Sequence, residues 1–167
     1  MYWTENKLIF YLNLLTMSVS IFSIYAHIVF STKYRKNIIP KTNQPSLNRL
    51  LVHMIGKRGG KAIAVNGTQN HIHILCIPPK EMPFTKFVSE LKTGSTRKLR
   101  SLGTTSFSWQ RGYAAYSVEP SRVKTVKSYI WNQEKHHESQ SFEKELIEIL
   151  QKHNIDFQPS YLFDRED

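Results

Sequence analysis

Residues 70–77, with the sequence Asn-His-Ile-His-Ile-Leu-Cys-Ile, constrain the fold of this chain more than any other segment. Apolar and β-branched residues fill the segment, and Asn66-Gly67 before it is typical of a tight turn, so we predict a buried β-strand. Side chains alternate between the two faces of a strand, and His71 and His73 therefore share one face. Two imidazoles about 7 Å apart along a strand can bind one cation. They can equally be structural histidines, each hydrogen-bonded to a neighbour, and the strand alone does not decide between the two interpretations.

Length, charge and cysteine content limit the class of protein. A chain of 167 residues that is 40% hydrophobic suits one domain with a real core. The formal net charge of +10 favours a polyanionic partner, with nucleic acid first and an acidic membrane surface second. The single cysteine, Cys76, rules out an intrachain disulfide and a cysteine-rich zinc site, which fits a reducing cytoplasm. We expect a cytoplasmic, nucleoid-associated protein.

The N-terminal segment is apolar only in patches between residues 8 and 30. No run reaches the roughly 18 to 20 unbroken apolar residues of a spanning helix, and no signal-peptide cleavage site stands out. We therefore expect no membrane span. Our hypothesis is that Met17 is the true start, that residues 1–16 are an upstream, non-native or disordered extension, and that residues 17–167 form one domain.

Hydrophobic periodicity predicts the element order β-α-β-β-α-β-β-α-α. The predicted strands cover residues 21–30, 61–65, 70–77, 107–109 and 112–118. The predicted helices cover residues 45–56, 83–102, 120–137 and 142–153, with a weak point at residues 94–96 of the second. Helices interleaved with hairpins indicate an α+β fold, an antiparallel sheet with helices on one side, like the ferredoxin or RNA-recognition (RRM) sandwich. Apolar residues at 155–157 and 161–163 form a tail that we expect to pack on this chain or a second subunit.

Basic residues concentrate in the turn at residues 31–36, which also carries Tyr34. They also concentrate along the second predicted helix, which has five basic residues and one acidic residue, Glu90. Such segments are often just a solvated turn and a soluble helix. With this net charge they are also candidates for phosphate contacts. The candidate nucleic-acid contacts are Lys33, Arg35, Lys36, Lys92, Arg97, Lys98 and Arg111.

Tyr129 and Gln133 lie one turn apart on the third predicted helix and so share a face. Taken alone, this pair could be a surface coincidence. Beside His71 and His73 it completes a chemical set, because two imidazoles and an amide carbonyl can hold a divalent cation with open positions for phosphate oxygens. Mixed nitrogen and oxygen ligation suits Mn²⁺ or Mg²⁺ acting as a Lewis acid. Tyr129 would then be the nucleophile that attacks the phosphate.

From about residue 24 to residue 162 the chain resembles the single-tyrosine HUH-class insertion-sequence transposases, including those associated with repetitive extragenic palindromes (REP). The segments that carry the resemblance are residues 28–33, Asn66-Gly67, His71-Ile72-His73, residues 91–96, residues 109–113, Tyr129-Ile130, residues 132–134, His136-His137, Ser141-Phe142 and Tyr161-Leu162. One departure is Asn70, where family members commonly have Asp. An amide cannot supply the charge of a carboxylate next to the first histidine.

The resemblance implies that His71, His73 and Gln133 bind the metal and that Tyr129 is the nucleophile. Such an enzyme cuts single-stranded DNA at element ends through a covalent 5′-phosphotyrosine, leaves a free 3′-OH, and rejoins strands without ATP. It implies a homodimer that recognises DNA hairpins, with the site assembled either within one chain or between two. The alternative is a catalytically inactive or domesticated module that binds hairpin single-stranded DNA or RNA.

The remaining histidines and large aromatic residues have simpler interpretations. We expect His136 and His137 at a helix end or an interface, and His27 and His53 in the core or at the surface. Core packing is also expected for Trp109, Tyr113 and Tyr116, one of which can stack on an unpaired base.

Overall fold

The computed structural model describes residues 21–158. The predicted extension at residues 1–16 and the tail residues 161–163 lie outside the described residues. The strands are β1 (Tyr25–Ser31), β2 (Lys61–Gly67), β3 (His71–Ile77) and β4 (Ala114–Val118). The helices are α1 (Gln44–Lys57), α2 (Phe84–Ser101), α3 (Val123–Trp131), α4 (Gln133–His136) and α5 (Phe142–Lys152).

The four strands form one antiparallel sheet in the order β2-β3-β1-β4. Up to β4 the chain follows the β-α-β-β-α-β order of ferredoxin-like proteins. The predicted α+β class with an antiparallel sheet is therefore confirmed. Strands β1 and β3 lie in the middle of the sheet and are buried along nearly their whole length, which fits their apolar sequences.

Helices α1 and α2 cover one face of the sheet. Leu47, Leu51 and Ile55 of α1 are fully buried, and they pack with α2 against the alternate residues of β1 and β3. The members of this core on the central strands are Ala26, Ile28, Phe30, Ile72, Ile74 and Cys76. The histidines of β3 therefore point to the opposite face.

Helices α3 and α5 cover that opposite face. Ile130 of α3 packs on Ala64 and Leu75, while Leu146 and Leu150 of α5 pack near Val29. The expectation of helices on one side thus describes α1 and α2 only, because both faces of β1 and β3 need cover. Phe157 of the predicted tail packs against the α5 cluster of its own chain.

Two predicted strands need correction. Strand β1 begins at Tyr25 rather than at residue 21, and residues 107–109 form a loop joined to the sheet by a single bridge between Thr32 and Trp109. The apolar side chains of this loop, Phe107 and Trp109, are buried by packing against other aromatic rings, although the loop does not pair as a strand. Trp109 lies edge-on to Phe30 and to Phe107, with ring centroids 4.8 Å apart in both pairs.

Two helix predictions are also corrected. Helix α2 is one continuous α-helix through Gly94. This glycine lies against Met54 of α1, and an added Cβ would lie 2.3 Å from Met54 Cε. The helix predicted for residues 120–137 is a 3₁₀ turn at Pro120–Arg122 followed by α3 and the short α4. Between residues 21 and 158, no helix is long and apolar enough to cross a bilayer.

Candidate active site

The hairpin of β2 and β3 places both histidines at the face covered by α3 and α5. His71 and His73 are fully buried and pair with Ser31 and Val29 of β1. Gly67 ends β2 rather than forming the turn, which comprises residues 68–70. A Cβ on Gly67 would lie 2.2 Å from the His71 carbonyl oxygen, so only glycine permits this close approach.

Neighbouring side chains fix the ring orientation of the two histidines. His71 Nδ1 donates to Asn70 Oδ1 at 2.7 Å, with Thr68 Oγ1 2.9 Å away. His73 Nδ1 and Nε2 of the buried His27 are hydrogen-bonded at 2.9 Å, and in the tautomer with the proton on His73 Nδ1 it is His73 that donates. In that tautomer the Nε2 atoms of both His71 and His73 present lone pairs to the space under α4 and α5. His27 is therefore part of the core, and Asn70 accepts the hydrogen bond without supplying a charge.

Gln133 reaches this space because α3 ends early. The Asn66 amide on β2 donates to the carbonyl oxygens of Ile130 (3.0 Å) and Trp131 (3.2 Å). These contacts satisfy the end of α3, the chain turns at Asn132, and Gln133 begins α4. Its Oε1 then lies 3.2 Å from His71 Nε2.

Glu145 of α5 is at the centre of the site, although it is not among the predicted site residues. Its side chain is 2% exposed, and its Oε1 accepts hydrogen bonds from the Tyr129 hydroxyl and from Gln133 Nε2 (3.0 Å). Its Oε2 accepts one from His137 Nε2 at 3.0 Å. The same oxygen lies 3.7 Å from His71 Nε2 and 3.5 Å from His73 Nε2. The signal in the sequence was an acidic residue within the apolar face of α5.

The contacts around Glu145 determine the charge states. His137 donates from both ring nitrogens, to Glu145 and to the Gln140 carbonyl (2.7 Å), and is therefore an imidazolium. Burial opposes this charge, but the hydrogen bond and the charge of Glu145 raise the pKa of His137. Burial would raise the pKa of Glu145, yet the His137 hydrogen bond and the nearby imidazoles hold that pKa well below its usual range. His137 lies at the C-terminal end of α4, as expected, and its ring also belongs to the site.

Two further groups of the site, His71 and Tyr129, are neutral. Burial, and secondarily His73, holds the pKa of His71 well below its ordinary value. Burial and the Glu145 carboxylate raise the pKa of Tyr129. An ionised carboxylate thus lies between a neutral phenol and the neutral imidazole of His71.

These residues fit a divalent cation. Nε2 of His71 and His73 and a carboxylate oxygen of Glu145 all lie within 4.8 Å of one another, and His73 Nε2 is buried with no hydrogen-bond partner in the described part of the chain. Bonds of about 2.0–2.2 Å to one ion put neighbouring ligand atoms roughly 3–4 Å apart, as here. Because His71 Nδ1 carries the proton, His71 Nε2 and Gln133 Oε1 are two acceptors facing each other, which a cation between them would satisfy.

The candidate nucleic-acid contacts fall into two groups. Two of them are engaged within the protein: Arg35 pairs with Glu143 at 2.7 Å, and Lys92 donates to three loop carbonyls. The other five have exposed side chains, namely Lys33, Lys36, Arg97, Lys98 and Arg111, and the ammonium groups of Lys33 and Lys36 also lie over the Tyr34 ring. Among the remaining predicted residues, His53 is exposed, and His136 is partly exposed with Nε2 4.0 Å from Glu145 Oε1.

Two solved structures share the fold. A candidate transposase from Deinococcus radiodurans R1 matches with a TM-score of 0.54 and 20% sequence identity, over 71% of this chain and 97% of that chain. A REP-associated tyrosine transposase bound to a REP hairpin matches with a TM-score of 0.55 and 15% identity, over 72% of each chain. At such identities the likeness concerns the fold alone. No curated protein sequence matches the chain significantly.

The sequence itself matches a known family. Residues 20–133 match the family described as "Transposase IS200 like", which is more than half of the chain. The matched segment includes His71, His73, Tyr129 and Gln133, whereas Glu145 follows it. The chain belongs to the IS200-like transposase family.

Proposed function

We propose that this transposase cuts and rejoins single-stranded DNA at element ends through a covalent 5′-phosphotyrosine on Tyr129, with a divalent metal and without ATP. One observation carries the proposal. Within one chain, the Tyr129 hydroxyl and the Nε2 atoms of His71 and His73 converge on the two oxygens of the buried Glu145 carboxylate. The chain's membership of the IS200-like transposase family supports reading this arrangement as a site for cutting DNA.

His71 and His73 would hold Mg²⁺ or Mn²⁺, with Gln133 Oε1 and Glu145 as further oxygen ligands. When bound, the ion would polarise the phosphate and lower the pKa of Tyr129. The chain's own contribution is orientation. Asn70 and His27 hold the two rings, and the Gln133 amide is held by Glu145.

In the proposed step, Tyr129 Oη forms a bond to phosphorus while the bond from phosphorus to the 3′ oxygen breaks. The phenol proton leaves by way of Glu145, which already accepts its hydrogen bond, and passes on to solvent, while the leaving 3′ oxygen takes up a proton from water to become a free 3′-OH. Phenolate is a good leaving group, so a DNA 3′-OH can later attack the phosphotyrosine and rejoin the strands. The bond energy is conserved, and ATP is not needed.

The proposed substrate is a DNA hairpin with unpaired flanks. It is supported by the net charge of +10 and by the REP-associated transposase, which was bound to a REP hairpin. Exposed cations such as Lys33, Lys36 and Arg97 would contact phosphates, whereas Arg35 and Lys92 hold loops in place. We further propose a homodimer acting on nucleoid DNA, in which each subunit carries its own Tyr129 and histidine pair.

The test is a denaturing gel of the purified chain incubated with a labelled hairpin from the DNA that flanks its own gene. We expect a slow, protease-sensitive DNA band that requires Mg²⁺ or Mn²⁺. Tyr129→Phe should abolish this band and leave hairpin binding nearly intact. Tyr116→Phe is the matched control, because Tyr116 is another buried tyrosine on the same face of the sheet and should keep the band.

A second variant tests the metal site separately. His71→Ala should eliminate the covalent band while sparing hairpin binding, and unchanged linkage would remove His71 from the metal site. If DNA is bound but never linked with any divalent ion, the chain is instead a hairpin-binding module.

A further inference from the structure

We propose that a second cavity, beside α2, binds an unpaired nucleobase of the DNA strand. This α2 cavity lies between the N-terminal half of α2 and the loop of residues 109–113, and it includes Ser89, Lys92, Thr93, Trp109, Arg111 and Tyr113. Its volume is about 300 Å³, at the lower end of the range for small-ligand sites. The proposal rests on the proposed function, since it assumes a single-stranded DNA substrate.

The loop wall of the cavity is already ordered. Lys92 Nζ donates to the carbonyl oxygens of Gln110, Arg111 and Gly112 at 2.5, 2.9 and 2.8 Å. Trp109 Nε1 donates to Ser95 Oγ of α2 at 2.9 Å, and the backbone N–H of Gln110 donates to the Ser31 backbone carbonyl at 2.9 Å. A wall fixed in this way loses little conformational entropy when a ligand binds.

The lining of the cavity suits a nucleotide. It contains no acidic side chain, and it combines the Tyr113 ring, 38% exposed, with hydroxyl groups and the exposed Arg111 guanidinium. Aromatic rings stack on bases of any sequence, and guanidinium groups bind phosphate. The cavity between α3 and α5 is lined by Tyr129 and Glu145 and belongs to the catalytic site. The α2 cavity is separate from it, and its charged lining residues, Lys92 and Arg111, are both basic, which suits a polyanion.

Its position links the α2 cavity to the catalytic end of the sheet. Ser31 pairs with His71 across β1 and β3, and Ser31 Oγ donates to Gln110 Oε1 of the cavity wall at 2.7 Å. The backbone amide of Lys33 donates to the Ser108 carbonyl at 2.9 Å, which brings the basic turn to the same place. Because β4 pairs with β1 only as far as Val29, a DNA strand with its scissile phosphate at Tyr129 would reach this cavity by passing Ser31, from the face of α3 and α5 to that of α1 and α2.

The experiment uses the full chain and hairpins from the DNA that flanks its own gene, in which each unpaired nucleotide is replaced in turn by an abasic site. Affinity is measured by fluorescence anisotropy at one salt concentration. In the wild type we expect one position where the abasic site weakens binding about tenfold, the scale of one stacked base. Ser89→Leu, which fills the cavity, should bind the intact hairpin about tenfold more weakly and remove this position dependence. Ser101→Leu is the matched control, an exposed serine at the other end of the same helix.

A second pair of variants covers the case in which Ser89→Leu does not fold. Tyr113→Leu should remove the position dependence, and Tyr113→Phe, which keeps the ring, should retain it. A flat wild-type profile, or a profile that both Ser89→Leu and Tyr113→Leu leave unchanged, overturns the proposal. If Tyr129 still links to DNA in that case, the proposed function stands without this cavity. If no linkage forms but the profile responds to the variants, the cavity stands and the transposase chemistry fails.

Discussion

At the scale of single residues, Glu145 holds the site together by accepting hydrogen bonds from Tyr129, Gln133 and His137. In metal-free protein, Glu145→Gln should lower the free energy of unfolding by about 1–3 kcal/mol at pH 6, because it leaves the charged His137 without its anionic partner. The loss should be smaller at pH 8. The pKa of His137 is raised in the folded chain, so its pairing stabilises fully below its unfolded pKa and is lost as the pH rises through the folded value.

Chemical denaturation in EDTA at the two pH values measures this effect. Glu148→Gln is the control, a partly buried carboxylate on the same helix, and should change stability by less. Equal stability of Glu145→Gln and the wild type at both pH values would show that the carboxylate does not pair with His137.

The buried neutral histidines, His27 and His71, predict a pH dependence of stability that is opposite in sign to that of His137. Burial, and secondarily His73, lowers the pKa of His27 to about 3, and the pKa of His71 is lowered as well. Below an unfolded pKa of 6.5 the unfolded chain binds protons that the folded chain does not, so stability falls as the pH drops. Each such histidine contributes a slope of ~1.4 kcal/mol per pH unit well below that pKa. The contribution of His137 is already complete there and does not offset the slope.

We therefore expect the metal-free protein to lose stability between pH 6 and pH 5. His27→Gln, whose amide oxygen can still accept from His73, should reduce the slope by about the share of one histidine. Urea denaturation across this range measures both slopes. Identical slopes would mean that His27 is protonated in the folded chain.

How far the site could be predicted differs from residue to residue. The strand period put His71 and His73 on one face, because that relation is local. The helix period paired Tyr129 with Gln133 on one helix, but the chain turns at Asn132, and the two residues reach Glu145 from α3 and α4. The contacts of Glu145 and His27 depend on how α5 and β1 pack, which no local period specifies. The only local sign of the role of Glu145 was its place beside Phe142 and Leu146 in the apolar stripe of α5.

At the scale of elements, two helical glycines test how α1 and α2 pack. Gly56→Ala on α1 should stabilise the protein by about 0.5–1 kcal/mol, because its Cβ would meet nothing within 4 Å and alanine favours the helix. Gly94→Ala on α2 would place a Cβ 2.3 Å from Met54 Cε, the far end of a flexible side chain that must move aside, so we expect a smaller gain than for Gly56→Ala. Thermal denaturation of both variants gives the comparison. Equal stabilisation of the two variants would mean that Met54 moves aside without cost.

Element boundaries were predictable where pattern and packing agree. The hairpin of β2 and β3 and the central β1 follow from their apolar, β-branched sequences. The loop at residues 107–109 has a strand-like pattern, but its rings pack on Phe30 instead of extending the sheet. The end of α3 depends on the Asn66 amide of β2, a contact distant in sequence, so the periodicity of α3 gave no sign of it.

At the scale of the whole molecule, the charge of +10 predicts a steep salt dependence of DNA binding, because lysine and arginine contacts release counterions. Lys33→Gln should reduce the slope of log affinity against log salt by about 0.7, the share of one single-strand phosphate contact. Lys80→Gln is the control, an exposed lysine just after β3, at the opposite end of that strand from His71. Binding titrations over a range of salt measure both slopes, and a flat response in the wild type would contradict a basic DNA face.

The composition predicted the sign of the partner's charge but not which cations are available to it. Arg35 and Lys92 lie in the basic segments, yet one pairs with Glu143 and the other holds the loop at residues 110–112. Such internal partners are distant in sequence and follow only from the assembled fold.

The most direct test of the central claim is mass spectrometry of the covalent product after nuclease and trypsin digestion. The peptide of residues 128–135 contains Tyr129 as its only tyrosine. We expect this peptide to carry a nucleotide attached through a 5′-phosphate when Mg²⁺ or Mn²⁺ is present, and to be unmodified in EDTA. A nucleotide found on any other peptide, or the same adduct formed without a divalent ion, would contradict the assignment of Tyr129 beside a metal held by His71 and His73.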